Sequence, residues 1–237
     1  MPNQSALLDN LEKIRTETDL LEFLRRLSRY FDFTGFMLLN IPSEADQSLE
    51  AIVHLSDLPE GMIASYDRLG LLKNSLVFQT LRRSTIPMTL NMQTAHDARP
   101  SEEAQSAARL FENYSIATAA FFPVHTPGGS RAAFGFLGSR SQLTRAELGE
   151  LAIFASHAFN IYSSLKQSDQ VKEDPLTKRE LEALHWAANG KTSGEIASII
   201  SLSEHTVNTY MNNAMRKLDC VNRTQLVAKA LRLRLIY

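Results

Sequence analysis

The stretch from Leu176 to Leu218 repeats one local device, and that device dictates short helices. Thr177 with Glu180, and Thr192 with Glu195, both have the Thr-x-x-Glu spacing of a capping box. In such a box a hydroxyl and a carboxylate satisfy the free N–H groups of a helix start. Asn189-Gly190 stands between the two, where a helix end calls for a left-handed residue. "GEIASII" is then a short helix, "SLS" a tight turn, and Ser203 caps a third helix, "EHTVNTYMNNAMRKL". A fourth, "RTQLVAKALRLRLI", closes the set. Two short helices joined by a three-residue turn form a helix-turn-helix, whose second helix enters the DNA major groove.

Gly190-Lys191-Thr192 also spells the end of a nucleotide-binding P-loop. That template wants an earlier Gly at the place of His185, after a buried strand. The preceding "LTKRELEALHWAA" has helical spacing, so the nucleotide reading fails twice. Gly190 stops one helix and Thr192 starts the next. Lys191 and Thr192, at a helix N-terminus, suit a phosphate of DNA.

The third helix sorts its residues by chemistry. At 100° per residue, and with Val207 at zero, Met211, Ala214 and Leu218 fall within about 40° of it, which makes a core face. His205, Thr209, Asn212 and Arg216 cluster opposite, with Asn208 at the edge, and none of these five is a carboxylate. Asn pairs with the N6/N7 edge of adenine, and Arg with guanine or phosphate. The expected DNA contacts are therefore Lys191, Thr192, Ser203, His205, Thr206, Asn208, Thr209, Asn212, Arg216 and Lys217. Charge agrees in sign: residues 172–237 carry 10 Lys+Arg against 7 Asp+Glu, a net of +3. Residues 1–171 carry 15 against 19, a net of −4, within a chain of net −1.

Upstream the periodicity is mixed. "LLDNLEKI" and "DLLEFLRRLSRYF" are amphipathic helices. "TGFMLLNI" and "LEAIVHL" are short apolar runs bounded by Gly, Pro and Ser, as buried strands are. "PEGMIASYDRLG" and "NSLVFQTLRRS" read as helices, and "TAAFFPVHTPGGSRAAFGFLGS" as a hairpin about a Pro-Gly-Gly turn. Thr144 and Glu147 box the start of a long helix with an apolar stripe. The expectation is an α+β chain of two domains. Residues 1–165 form an α/β sensor-like domain with a central antiparallel sheet, 166–175 a polar linker, and 176–237 an all-α four-helix domain.

Other classes are poorly served. The one cysteine, Cys220, excludes an internal disulfide and a multi-thiolate zinc site, and no metal or cofactor site is read. His54, His96 and His125 lie among unrelated acids without nucleophile–base or ligand spacing, so no enzyme is expected. The upstream strands do not end in the acidic cluster of a phosphorylated receiver. The N-terminus lacks an apolar core of signal-peptide length, and no run reaches the roughly 18–20 residues of a membrane span. The expected location is cytoplasmic, with no membrane partner.

The last 62 residues resemble the LuxR-type transcription regulators. The residues that carry the resemblance are "LTKRELEAL", "AANGKTSGEIA", "SEHTVNTYMNNAMRKL" and "RTQLVAKA". It implies that Glu180, Leu184 and Gly190 shape the helix-turn-helix, and that the last helix contributes to dimerisation. Asn208 and Tyr210 depart from the more common Lys and His, which implies an unusual operator. The first 165 or so residues resemble the family's autoinducer-binding domain, which implies an N-terminal α-β-α sandwich that holds an acyl-homoserine lactone. Tyr66 keeps the family's tyrosine. Met62 stands for the first pocket Trp, Ser75 for the Asp, Leu90 for the last Trp, and Ala119 near a pattern Gly. A charged acceptor is worth about 1.5–3 kcal/mol, and an unpaired buried carbonyl costs about 1–3 kcal/mol. Together these losses remove several decades of affinity for a standard lactone. Two alternatives stand beside it: a different small ligand, or a closed domain that chiefly dimerises.

The resulting expectation is a transcriptional regulator that binds double-stranded DNA as a dimer at a near-palindromic operator. The partner is a second copy or a related regulator, paired through "ELAIFASHAFNIYSSL". The alternative is a small-molecule sensor whose output is mainly protein–protein contact.

Overall fold

A computed structural model describes residues 7, 10–92, 101–126, 131–170, 176–233 and 235–236. The chain divides into two compact units, Met1–Lys166 and Gln167–Tyr237.

In the first unit, α1 (Glu17–Tyr30) begins at a capping box of Thr16 and Asp19. It buries Leu20, Phe23, Leu24 and Leu27, the three-and-four spacing seen in the sequence. Strands β1 (Gly35–Asn40) and β2 (Val53–Ser56) follow, then α2 (Met62–Arg68) and α3 (Leu76–Arg83). After them come β3 (Met88–Asn91), α4 (Ser101–Asn113), β4 (Thr118–His125), β5 (Arg131–Gly138) and α5 (Arg145–Gln170). The strands form one antiparallel sheet in the order β2-β1-β5-β4-β3.

Both faces of this sheet are covered, which explains why its strands read as continuous apolar runs. Phe36, Leu38, Phe122, Phe134 and Phe136 point to the side closed by α1 and α5. Met37, Leu39, Phe121 and Leu137 point to the side closed by α2, α3 and α4. The α-β-α sandwich expected from the sequence is the fold observed. It contains two elements that the sequence reading does not assign, β3 and α4. Helix α5 runs on through 166–170 to Gln170, into the stretch read as linker, while the division between the two units falls after Lys166. The remainder of that linker, 171–175, lies outside the described residues, as does the Pro-Gly-Gly turn.

The second unit holds α6 (Lys178–Ala188), α7 (Ser193–Ile199), α8 (Glu204–Lys217) and α9 (Arg223–Arg232). Both expected capping boxes are present, at Thr177–Glu180 and Thr192–Glu195. Gly190 has φ +80, the left-handed conformation that ends α6. Ser203 accepts a hydrogen bond from the Thr206 N–H at 3.1 Å and so starts α8. Asn222 caps α9, which stops at Arg232, short of the apolar residues assigned to it from sequence. Leu184, Ile196, Val207, Ala214 and Leu226 close a core among the four helices.

Candidate DNA-binding face and ligand cavity

The core face expected for α8 is buried: Val207, Met211, Ala214 and Leu218. His205, Asn208, Thr209, Asn212 and Arg216 are all exposed on the outer side. Some of their polar groups are already placed. Thr209 Oγ1 donates to the His205 carbonyl at 2.9 Å, and an Arg216 N–H donates to Asn213 Oδ1 at 3.2 Å. The side-chain amides of Asn208 and Asn212 have no partner among the described residues. Glu204, in the first turn, does not spoil this face. Its carboxylate lies over Gly194 of α7, where an added Cβ would meet Oε2 at 3.6 Å.

Around the helix starts the expected contacts divide. Ser203 and Thr206 share a hydroxyl–hydroxyl hydrogen bond of 2.8 Å. Thr192 gives its N–H and hydroxyl to the Glu195 carboxylate, at 2.8 and 3.0 Å. Lys191 holds a loose, exposed ion pair with Glu195 at 3.4 Å. The sequence reading missed Arg223, whose guanidinium donates to the Lys191 carbonyl and so fixes the turn that carries Lys191. Nothing in local spacing signals that contact across the domain.

Lys217 makes a contact inside the domain that the sequence reading does not foresee. Its ammonium donates to Glu180 Oε2 at 2.7 Å, and Glu180 is only 4% exposed. Burial would raise the Glu180 carboxyl, but the Lys217 ammonium and the Thr177 N–H and hydroxyl outweigh it and hold it below the usual range. Lys217 is a strut between α8 and α6.

In the first unit, Met62, Tyr66 and Ser75 line one cavity, together with Met37, Leu49, Met92, Phe111 and Phe121. Leu90 does not line it; it packs at the margin of the same core from the edge strand β3. The cavity measures about 40 Å³. Small-molecule sites usually enclose about 300–1,000 Å³, and each water needs roughly 10–15 Å³ of such space. The cavity therefore has room for a few waters.

Two of its lining residues meet over a glycine. On β5, Gly135 pairs with Met37 on one side and Phe121 on the other. A Cβ at Gly135 would come within 2.7 Å of the Phe121 ring and 3.2 Å of the Met37 methyl. Both side chains therefore pack over its bare backbone. The polar lining is sparse. The Tyr66 hydroxyl donates to the Leu71 carbonyl at 3.0 Å, as an ordinary buried tyrosine does. Ser75 is 3% exposed and its hydroxyl has no partner among the described residues. Asp67 closes the loop above: its carboxylate accepts from Ser48 Oγ, Leu49 N and Glu50 N at 2.8, 2.6 and 3.0 Å.

His54 and His125 lie on β2 and at the end of β4, and His96 is outside the described residues. Among the described residues no helix is long and apolar enough to cross a membrane.

Residues 16–162 match the autoinducer binding domain family, and residues 174–230 match the bacterial regulatory proteins of the luxR family. The chain belongs to the LuxR-type regulators. It is 28% identical to the transcriptional activator protein AhyR of Aeromonas hydrophila, over 95% of this chain and 90% of that one. It is 39% identical to the quorum sensing-dependent transcriptional regulator RpaR of Rhodopseudomonas palustris, over 54% of this chain and 49% of that one. The crystal structure of Escherichia coli SdiA shares the fold, with a TM-score of 0.71 at 20% identity, over 99% of this chain and 98% of SdiA. This LuxR-type regulator is thus a DNA-binding transcriptional regulator with an autoinducer-binding domain, and its relatives are regulators, not enzymes.

Proposed function

We propose that this regulator binds a near-palindromic operator as a dimer and that its DNA binding does not wait for a standard acyl-homoserine lactone. The DNA half rests on the outer face of α8. Its exposed His205, Asn208, Thr209, Asn212 and Arg216 carry donors and acceptors without a carboxylate, and two of the amides are unpaired. In the bound state this face lies in the major groove. Lys191, Thr192, Ser203 and Thr206 sit at the starts of α7 and α8, where they contact phosphates and set the register. Two copies of α8 one helical turn apart require a dimer and a repeated half-site. Helix α5, with Ile153 55% exposed on it, is the element we assign to pairing.

The ligand half rests on a single observation, the cavity of about 40 Å³, whose lining includes Phe121 and Met37. Ser75 offers the lactone amide a weaker acceptor than a carboxylate, and an acyl chain would need more space than this cavity holds.

The deciding experiment uses full-length protein from a lactone-free host, titrated at fixed salt against DNA selected from a random pool. Tight, sequence-specific binding without additive is expected. Binding that appears only when a lactone is supplied would overturn the ligand half. Sequence-specific binding unchanged by Asn212→Ala with Arg216→Ala would overturn the DNA half. Native mass spectrometry of protein drawn from its own cells then tells a homodimer from a pair with a related regulator.

A further inference from the structure

On the outer side of the cavity wall lies a second, much larger hollow of opposite character. It is an open cleft of about 440 Å³, a volume within the range of small-molecule sites, whereas the inner cavity is a tenth of that. The wall between them is shared. Ser75, Val77 and Phe78 line the cavity, while Asn74, Gln79 and Arg82 line the cleft.

The cleft brings together charges that have no ion-pair partner among the described residues. Lys73, from the loop before α3, joins Arg82 and Arg83 from its last turn. Only Arg82 has contacts of its own, long ones of 3.4 and 3.5 Å to the carbonyls of Pro42 and Ser43. The facing segment is the loop after β1, which contributes Ser43, Glu44 and Asp46. Asp46 is taken up by the Ser43 N–H and hydroxyl, at 2.7 and 2.8 Å, and Glu44 is unpaired. Asn74 gives its amide N–H groups to the Glu103 carboxylate, at 3.1 and 2.9 Å. Its carbonyl is left as an acceptor, beside the uncommitted amide of Gln79.

These groups do not suit a bare anion, because two carboxylates line the same space. Cations outnumber carboxylates three to two in the lining, so the cleft favours an anion over a neutral molecule. Cations on α3 and its preceding loop, with acceptors facing them, match a small anion that also carries hydroxyl groups. The anionic end takes charge-assisted hydrogen bonds from Arg82, Arg83 and Lys73. The hydroxyls donate to Glu44 and to the Asn74 carbonyl. We propose that this cleft is a binding site for a polyhydroxylated anion, of the sugar phosphate or hydroxy-polycarboxylate class, separate from the autoinducer cavity.

The test is calorimetric titration of the full chain with glucose 6-phosphate, citrate, inorganic phosphate and glucose. Saturable binding of glucose 6-phosphate or citrate is expected, and the tighter of the two assigns the class. Glucose should not bind, and inorganic phosphate should bind more weakly than the ester. Replacing both arginines (Arg82→Ala, Arg83→Ala) should weaken binding by about tenfold or more. The end of α3 does not depend on those side chains, because Arg131 donates to the carbonyls of Leu81, Arg82 and Ser84. An unchanged melting temperature checks this, and Lys73→Gln, in a loop, gives a second variant that should weaken binding. No saturable binding of either anion, or equal binding by the arginine variant, overturns the proposal. Equal affinity for inorganic phosphate and glucose 6-phosphate overturns the assignment of hydroxyl-binding groups.

Discussion

The ammonium of Lys217 lies 2.7 Å from Oε2 of Glu180, and the same oxygen accepts the Thr177 N–H at 2.7 Å. One buried carboxylate oxygen thus caps the first helix of the DNA-binding unit and anchors the recognition helix. Removing one partner of such a pair leaves a buried charge unmatched, at a cost of about 3–5 kcal/mol. Lys217 is about one-third exposed, so Lys217→Ala should cost nearer 2 kcal/mol. Trp186, the only tryptophan, reports on this unit by fluorescence. The variant should melt several degrees lower and lose affinity for every DNA sequence alike. An unaltered melting curve with weakened DNA binding would return Lys217 to the phosphate contacts.

Asn212 and Arg216 should behave in the opposite way. Neither touches the core, so alanine at either position should leave the melting curve within about 0.5 kcal/mol of the parent. Each should cost about 1–3 kcal/mol in operator binding and relax preference at one base position. Anisotropy titrations on a set of single-base operator variants read both effects. Lys191→Ala, by contrast, should weaken binding uniformly and make it less salt-dependent.

The cavity yields a prediction about ligands and one about packing. A ligand at about 100 times its Kd adds about 2.7 kcal/mol of stability. An acyl-homoserine lactone should give no such rise in the melting temperature. Phe121→Ala removes a ring that is 3% exposed and should cost about 3–5 kcal/mol. If the ring instead blocks nothing, the variant will be no better than the parent at binding a lactone.

Acid should weaken the sandwich at one identifiable place. The Arg140 guanidinium, and then the Thr144 N–H, hold the Glu147 carboxyl at about 2, well below its ordinary 4.5. A depressed carboxyl contributes stability that is fully present above about pH 4.5 and is lost as pH falls toward 2. Glu147 is about one-third exposed, so the contribution is nearer 1–2 kcal/mol than the full shift implies. Glu147→Gln should therefore lower stability at pH 7, and the difference from the parent should vanish near pH 2. Urea melts at the two pH values decide it.

Local chemistry made most of the helix starts legible. A capping box needs four consecutive residues, so Thr144, Thr177 and Thr192 announced their helices without tertiary help. Strand β3 offered only four residues on a sheet edge, too few for a period to emerge. The α4 stripe depends on Ala107 as well as Leu110 and Phe111, and alanine marks a buried face weakly. The helical wheel of α8 found its outer face. It could not show that α6 would bring Glu180 to Lys217, a contact between residues far apart in the chain. Likeness to the family located Met62, Tyr66 and Ser75 at the cavity, but it placed Leu90 there as well, and Leu90 stays outside.

Gly135 does not line the cavity, yet Phe121 and Met37, which do, pack over its bare backbone. Comparing regulators only at the positions that touch a ligand would follow the chemistry of the binding site and miss the residue on which its lining is seated. A new recognition chemistry introduced at Ser75 leaves that seat unchanged. Redesign has to begin one strand away, with the register that seats the Phe121 ring against a glycine.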